Sequence, residues 1–203
     1  MVIPWSIDDD AIEAALPIAC KNWRDWRPEF EHGGHPLLAE PGTRFGTFCR
    51  EYSVGRTIRA GTRCDFRRRL VAQLEAAIGD DTGHALDALE DDLRPDFGTH
   101  GGKSRLVSVL SKVAAFARPE RFVAWDRYAK KGLNSVLGRP PSARFHTYAE
   151  YLAAFDCAWN GQPGQRIRDY LMRHGTQEAI EKEPRFQRRI LDVCLMRLGG
   201  RPL

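Results

Sequence analysis

The chain has 203 residues, 42% apolar and 29% charged, enough for one compact domain with a full core. Ten Phe, five Trp and five Tyr exclude a disordered chain, and no stretch reaches the roughly 18 uninterrupted apolar residues of a membrane span. Net charge is only +4, so any affinity for phosphate must come from local blocks rather than the average. The first ten residues are acidic and carry no basic stretch of a secretory signal, so the expected location is the cytoplasm, with no membrane partner.

Taken in chain order, Ser6 is placed to cap a first helix whose early turn holds Asp8, Asp9 and Asp10. Pro17 is expected to kink or restart it. Residues 23–42 hold three prolines and three glycines, the composition of a long irregular segment. Over 45–59 Phe, Tyr, Val, Thr and Ile recur, which reads as one or two short strands. Asp65 is then placed to cap an amphipathic helix with Phe66, Leu70, Leu74 and Ile78 at i+4 steps, ending at Gly79. A second runs over 82–93 and stops before Pro95. A Gly-rich turn follows over 97–103, and Ser104 opens the most apolar helix of the chain, closed by Pro119.

A short loop delivers Trp125 to a helix that begins near Asp126 and ends before Gly138. Thr147 and Glu150 form a capping box ahead of the next helix. Pro163 and Gly164 precede another, and Pro184 opens the last, stopped by Gly199 and Gly200. With seven or eight helices and no repeat period, the fold class is mainly α: a single domain over 1–203, with helical subdomains flanking a cleft centred on 97–138 and a small β ribbon near 45–59.

The charges fall in blocks. Residues 44–69 carry eight Arg against two acids, residues 80–96 seven acids against one Arg, and residues 103–139 nine bases against two acids. Such alternation suits a polarised surface that sits on phosphate, or a solvated one whose blocks neutralise each other. The five cysteines are scattered without CxxC spacing, and His32, His35, His100 and His146 lack ligand spacing. No metal or cofactor is expected, and the thiols read as reduced and mostly buried.

Chemistry concentrates in 101–138. A Gly turn feeds a buried helix carrying Ser111 and Lys112. That helix ends at Pro119, and a loop presents Val123-Ala124-Trp125-Asp126 at the next helix N-terminus. There the helix dipole favours the ionised acid. Asp126 is then either a plain N-cap or an acid placed for chemistry. Lys112 is either a structural partner of an acid or an amine nucleophile, and Trp125 either core or a stacking surface.

This segment resembles the helix-hairpin-helix DNA glycosylase superfamily, in particular small bacterial members with an S-K pair, an apolar run, P-x-x-F and then an acid. Here those are Ser111-Lys112, Pro119-Glu120-Arg121-Phe122 and Asp126. The resemblance covers about 40 residues. It implies base flipping and excision of a damaged or modified base, with Asp126 stabilising the sugar cation and activating water, and with Lys112 as a second catalytic candidate for lyase chemistry. It further implies a phosphate cradle at Gly101, Gly102, Lys103 and Ser104, an opposing grip from Arg56, Arg59 and Arg63, helped by Arg67 and Arg68, and a base pocket drawn from Trp125, Trp23 and Trp26. A phage-defence role against hypermodified, for example glucosylated, cytosine goes with the small bacterial members, and the partner is then DNA, met by a monomer. Three departures stand beside it. The hairpin reads Phe97-Gly98-Thr99-His100-Gly101-Gly102 rather than apolar-Pro-Gly-apolar-Gly, no cysteine cluster follows, and neither Lys112 nor Lys103 has the family's spacing from the acid. Two other functions fit the same residues: a nucleic-acid-binding module without catalysis, and an interaction protein of toxin–antitoxin type.

Overall fold

The computed structural model describes residues 6–30, 43–77, 82–99, 105–174 and 183–201. It is mainly helical, with nine α-helices among the described residues and β-pairing there confined to one isolated bridge, Ile58 with Gly98. The helices are α1 (Asp9–Trp26), α2 (Thr43–Glu51), α3 (Arg63–Ala77), α4 (Thr82–Phe97), α5 (Val107–Ala117), α6 (Arg127–Val136), α7 (Tyr148–Asn160), α8 (Gln162–His174) and α9 (Pro184–Leu198), with a 3-10 turn at Arg27–Phe30. They form two compact units. A terminal unit combines Met1–Asp25 with Trp125–Leu203, and a central unit is Trp26–Ala124. Among the described residues no helix is long and apolar enough to cross a membrane, and no His, Cys, Asp or Glu group could hold a metal ion.

In the terminal unit α6 and α9 make the most extensive helix contact. They touch through backbone. A methyl group on Gly132 would overlap the Leu195 carbonyl, and one on Gly199 the Tyr128 carbonyl. Glycine at these two positions is what lets the axes come this close. Tyr148 and Phe155 of α7, Ile167 of α8 and Phe186, Ile190 and Val193 of α9 are fully buried around them.

Pro17 does not restart the helix: α1 runs unbroken through it. Ile12, Ala15, Ala19 and Trp23 continue one buried stripe past it, and that burial outweighs the lost hydrogen bond. The cap is also not Ser6: Asp8 Oδ1 accepts from the Ala11 N–H at 2.8 Å. The capping box of α7 forms, with Thr147 Oγ1 accepting from the Glu150 N–H at 3.1 Å. The Glu150 carboxylate reaches back to the Thr147 backbone and one residue further out, accepting from the His146 N–H at 2.7 Å. That bond is the first cause holding the Glu150 carboxyl below its usual range. Pro163 and Gly164 lie inside the first turn of α8 rather than before it.

In the central unit α4 packs on both α3 and α5. The strands read from 45–59 are instead helix over the first part, because Phe45, Phe48 and Cys49 fall at i, i+3, i+4 and bury one face. After Glu51 the chain turns repeatedly, pinned by Val54 N–H to Cys49 O (2.9 Å) and Arg59 N–H to Phe97 O (2.7 Å). The dense aromatics gave the strand reading, and their spacing decided otherwise. α3 starts two residues before Asp65, which pairs with Arg68 at 3.3 Å in the first turn. Ile78 and Gly79 fall outside the described residues. α4 runs through Pro95 because Leu89, Leu93 and Phe97 extend one buried face at i+4 steps.

Ser104, expected to open α5, lies outside the described residues, and Leu106 holds the N-cap position without a side-chain bond. The cap comes from α4 instead. Glu90, 1% exposed, accepts from the Val107 N–H at 3.2 Å and from Arg105 at 2.7 Å.

Candidate functional site

The stretch leading to Asp126 is built from local rules. α5 ends at Ala117, and Arg118 O accepts from both Arg121 and Phe122 N–H at 3.0 Å, turning the chain over Pro119. Phe122, Val123, Ala124 and Trp125 are all buried. Asp126 follows with extended backbone (φ −124°, ψ 144°) and caps α6, its Oδ1 accepting from the Tyr128 N–H at 2.8 Å. The residue is only partly buried. An N-cap acid so placed is held in one geometry.

Around it the terminal unit assembles a polar, aromatic group. The Trp125 ring meets Tyr151 edge-on at 5.3 Å and Tyr148 at 6.3 Å, and Lys130 Nζ lies 4.0 Å from its centroid. Trp125 is 8% exposed, with the ammonium over its ring. Tyr151 is fully buried. Burial first, then the charges of Asp192, Tyr148 and Asp126, push its phenol well above the usual range, with Arg189 opposing. It is therefore a neutral hydroxyl across the working pH range. Asp192, 2% exposed, pairs with Arg189 on the same helix. None of Tyr148, Tyr151, Asp192 and Arg189 follows from the motif. For Arg189 and Asp192 the signal was their spacing of three on one helix.

The other residues singled out by sequence separate into groups. Lys112 belongs to the central unit, is 5% exposed, and donates from Nζ to Ser108 Oγ at 3.1 Å. Trp23 packs on Phe186 at 5.5 Å in the terminal unit. Trp26, 1% exposed, packs on Phe48 in the central unit and donates its Nε1–H to Glu51 at 2.7 Å. Both tryptophans are core. Gly101, Gly102, Lys103 and Ser104 lie outside the described residues.

Arg56, Arg59 and Arg63 are exposed, and none is in an ion pair among the described residues. Their loop is tied to the start of the Gly-rich turn. Thr99 N–H donates to Thr57 O at 3.3 Å and Thr99 Oγ1–H to Arg56 O at 3.3 Å, beside the Ile58–Gly98 bridge. Other arginines are neutralised. Arg69 pairs with Asp92 (2.9 Å) and Asp96 (2.6 Å), and Arg105 with Glu90, so the acidic block offsets part of both basic ones.

Among the thiols, Cys20, Cys49 and Cys194 are buried, Cys64 and Cys157 exposed, and none of the five is in a disulfide. Burial pushes Cys49 up to about 11 and Cys194 to about 12, so both stay protonated and inert at neutral pH.

No family model matches this chain, and no curated protein or solved structure is significantly similar to it.

Proposed function

We propose that this protein is a DNA glycosylase that excises a damaged or modified base. The observation carrying the reading is Asp126: a partly exposed carboxylate fixed by a backbone N–H at the start of α6, directly after Trp125. In this reaction the flipped nucleotide loses its base as the C1′–N bond breaks and the bonding electrons leave with the base. Asp126 stabilises the cationic sugar, orients water onto C1′ and takes the proton that water gives up. The buried Lys112 amine, bonded to Ser108, suits a structural role, which favours hydrolysis over a Schiff base. Arg56, Arg59 and Arg63, exposed and without carboxylate partners among the described residues, grip the DNA backbone, and the chain acts as a cytoplasmic monomer. A hypermodified cytosine of phage DNA is the first substrate to try.

The cap bond itself favours a second reading, a nucleic-acid-binding module in which Asp126 only starts a helix. The two part on base release. Incubation with unmodified, damaged and phage-modified DNA, followed by mass spectrometry for free base, gives release from one substrate if the first reading holds. Salt-sensitive binding with no release from any of them assigns the second.

A further inference from the structure

In the terminal unit, α6 and α7 end and α8 begins around one cavity of about 270 Å³, with Ser6 and Ile7 lining it ahead of α1. Its wall is largely apolar, drawn from Ile7, Val136, Leu137, Ala158 and Pro163. Late carbonyls of the two ending helices are already bonded. Asn134 O accepts from the Arg139 N–H (2.7 Å), Ser135 O from Gly138 (3.1 Å) and Cys157 O from Gly161 (3.0 Å), which reduces the unmet acceptors those ends would leave. No carboxylate lines the cavity among the described residues.

A cation does. Arg166 of α8 is on the wall, exposed and in no ion pair among the described residues. With Gln162 it also lines a second, polar cavity of about 390 Å³. The acids of that cavity are engaged by other groups: Asp9 pairs with Arg173 at 3.1 Å, and Asp169 accepts from Gln165 at 2.7 Å. Arg166 thus brings an unbalanced positive charge to an apolar chamber.

Such a chamber complements a molecule with an apolar body and one anionic end. We propose that the cavity binds a small aliphatic carboxylate, its chain on Ile7, Val136, Leu137 and Ala158 and its carboxylate on Arg166. One guanidinium balances the single charge of a carboxylate, and not the nearly double charge of a phosphate monoester. The volume is close to the roughly 300 Å³ of the smaller ligand pockets, which limits the body to a short chain. The site concerns binding alone and stands without the glycosylase reading.

The exposed Cys157 lines the cavity, so its thiol reports occupancy, and the exposed Cys64 of the central unit is a reference on the same molecule. The full-length chain is alkylated with iodoacetamide and both cysteines are followed by mass spectrometry, with butanoate, hexanoate, octanoate or octan-1-ol added. Octanoate is expected to slow Cys157 saturably and to leave Cys64 unchanged. Protection strengthens by about fourfold per added methylene until the cavity is full. Octanol on wild type, and octanoate on Arg166→Gln, need about fivefold more ligand for the same protection. An unchanged Cys157 rate, equal slowing of Cys64, equal protection by octanol, or undiminished protection of a folded Arg166→Gln overturns the proposal. The octanoate–octanol comparison is made on wild type and decides even if the variant fails to fold.

Discussion

Two carboxylates stand at helix starts in this protein, one in each unit. Glu90 reaches across from α4 to the start of α5, is 1% exposed, and is bound by a backbone amide and a guanidinium. Asp126 caps its own helix from the adjoining residue and stays partly exposed. The same local task is done under opposite conditions. A buried, ion-paired acid is committed to structure, since removing it strands its partners. A partly exposed cap contributes little stability and keeps a fixed carboxylate within reach of solvent and ligand.

Stability measurements can break this contrast. Glu90→Ala removes the α5 cap and the Arg105 pair together, and urea unfolding is expected to show a loss of about 3 kcal/mol. A loss as small as that of a surface residue would refute the structural role of Glu90.

The pH axis sharpens the comparison between units, because each holds a buried thiol. In the fold Cys194 stays protonated up to about 12, while the unfolded thiol ionises near its ordinary value of 9.0. Stability from this group is complete below that value and falls as pH rises through it, by about 1.4 kcal/mol per pH unit. Cys49 adds the same trend in the central unit, up to about 11. Denaturation curves between pH 8 and roughly 10.5 should therefore steepen in their decline, less so for Cys194→Ala. An unchanged slope in that variant would place the titration elsewhere.

Smaller effects complete the series. Asp126→Ala loses a helix cap and should cost about 1 kcal/mol, well under Glu90→Ala. Asp126→Asn keeps a capping oxygen and should change stability by only a few tenths of a kcal/mol. Equal losses for Asp126→Ala and Glu90→Ala would erase the distinction between the two acids.

How much of this was legible differs residue by residue. The Asp126 cap, the α7 capping box and the α9 boundaries were readable because every group involved lies within a few residues. The α5 cap was not, since its acid sits 17 residues upstream on another helix. A trace existed: Glu90 falls at i+4 from Leu86, on the apolar face of α4. The burial of Arg67, which is 6% exposed, left none, as the residue neighbours Phe66 in a basic run and its burial is set by elements distant in sequence. The turn residues of 52–62 were visible in composition, but the hydrogen bonds tying that loop to 97–99 were not, because non-local pairing leaves no periodicity.

The central claim is that Asp126 does chemistry and is not merely a cap. Its most direct test is free base released from the responsive DNA by wild type and by Asp126→Asn, with unfolding midpoints measured on the same samples. The account predicts matching midpoints and a fall in release of at least about a hundredfold. Equal release by both proteins, or none by wild type from any DNA offered, would contradict it.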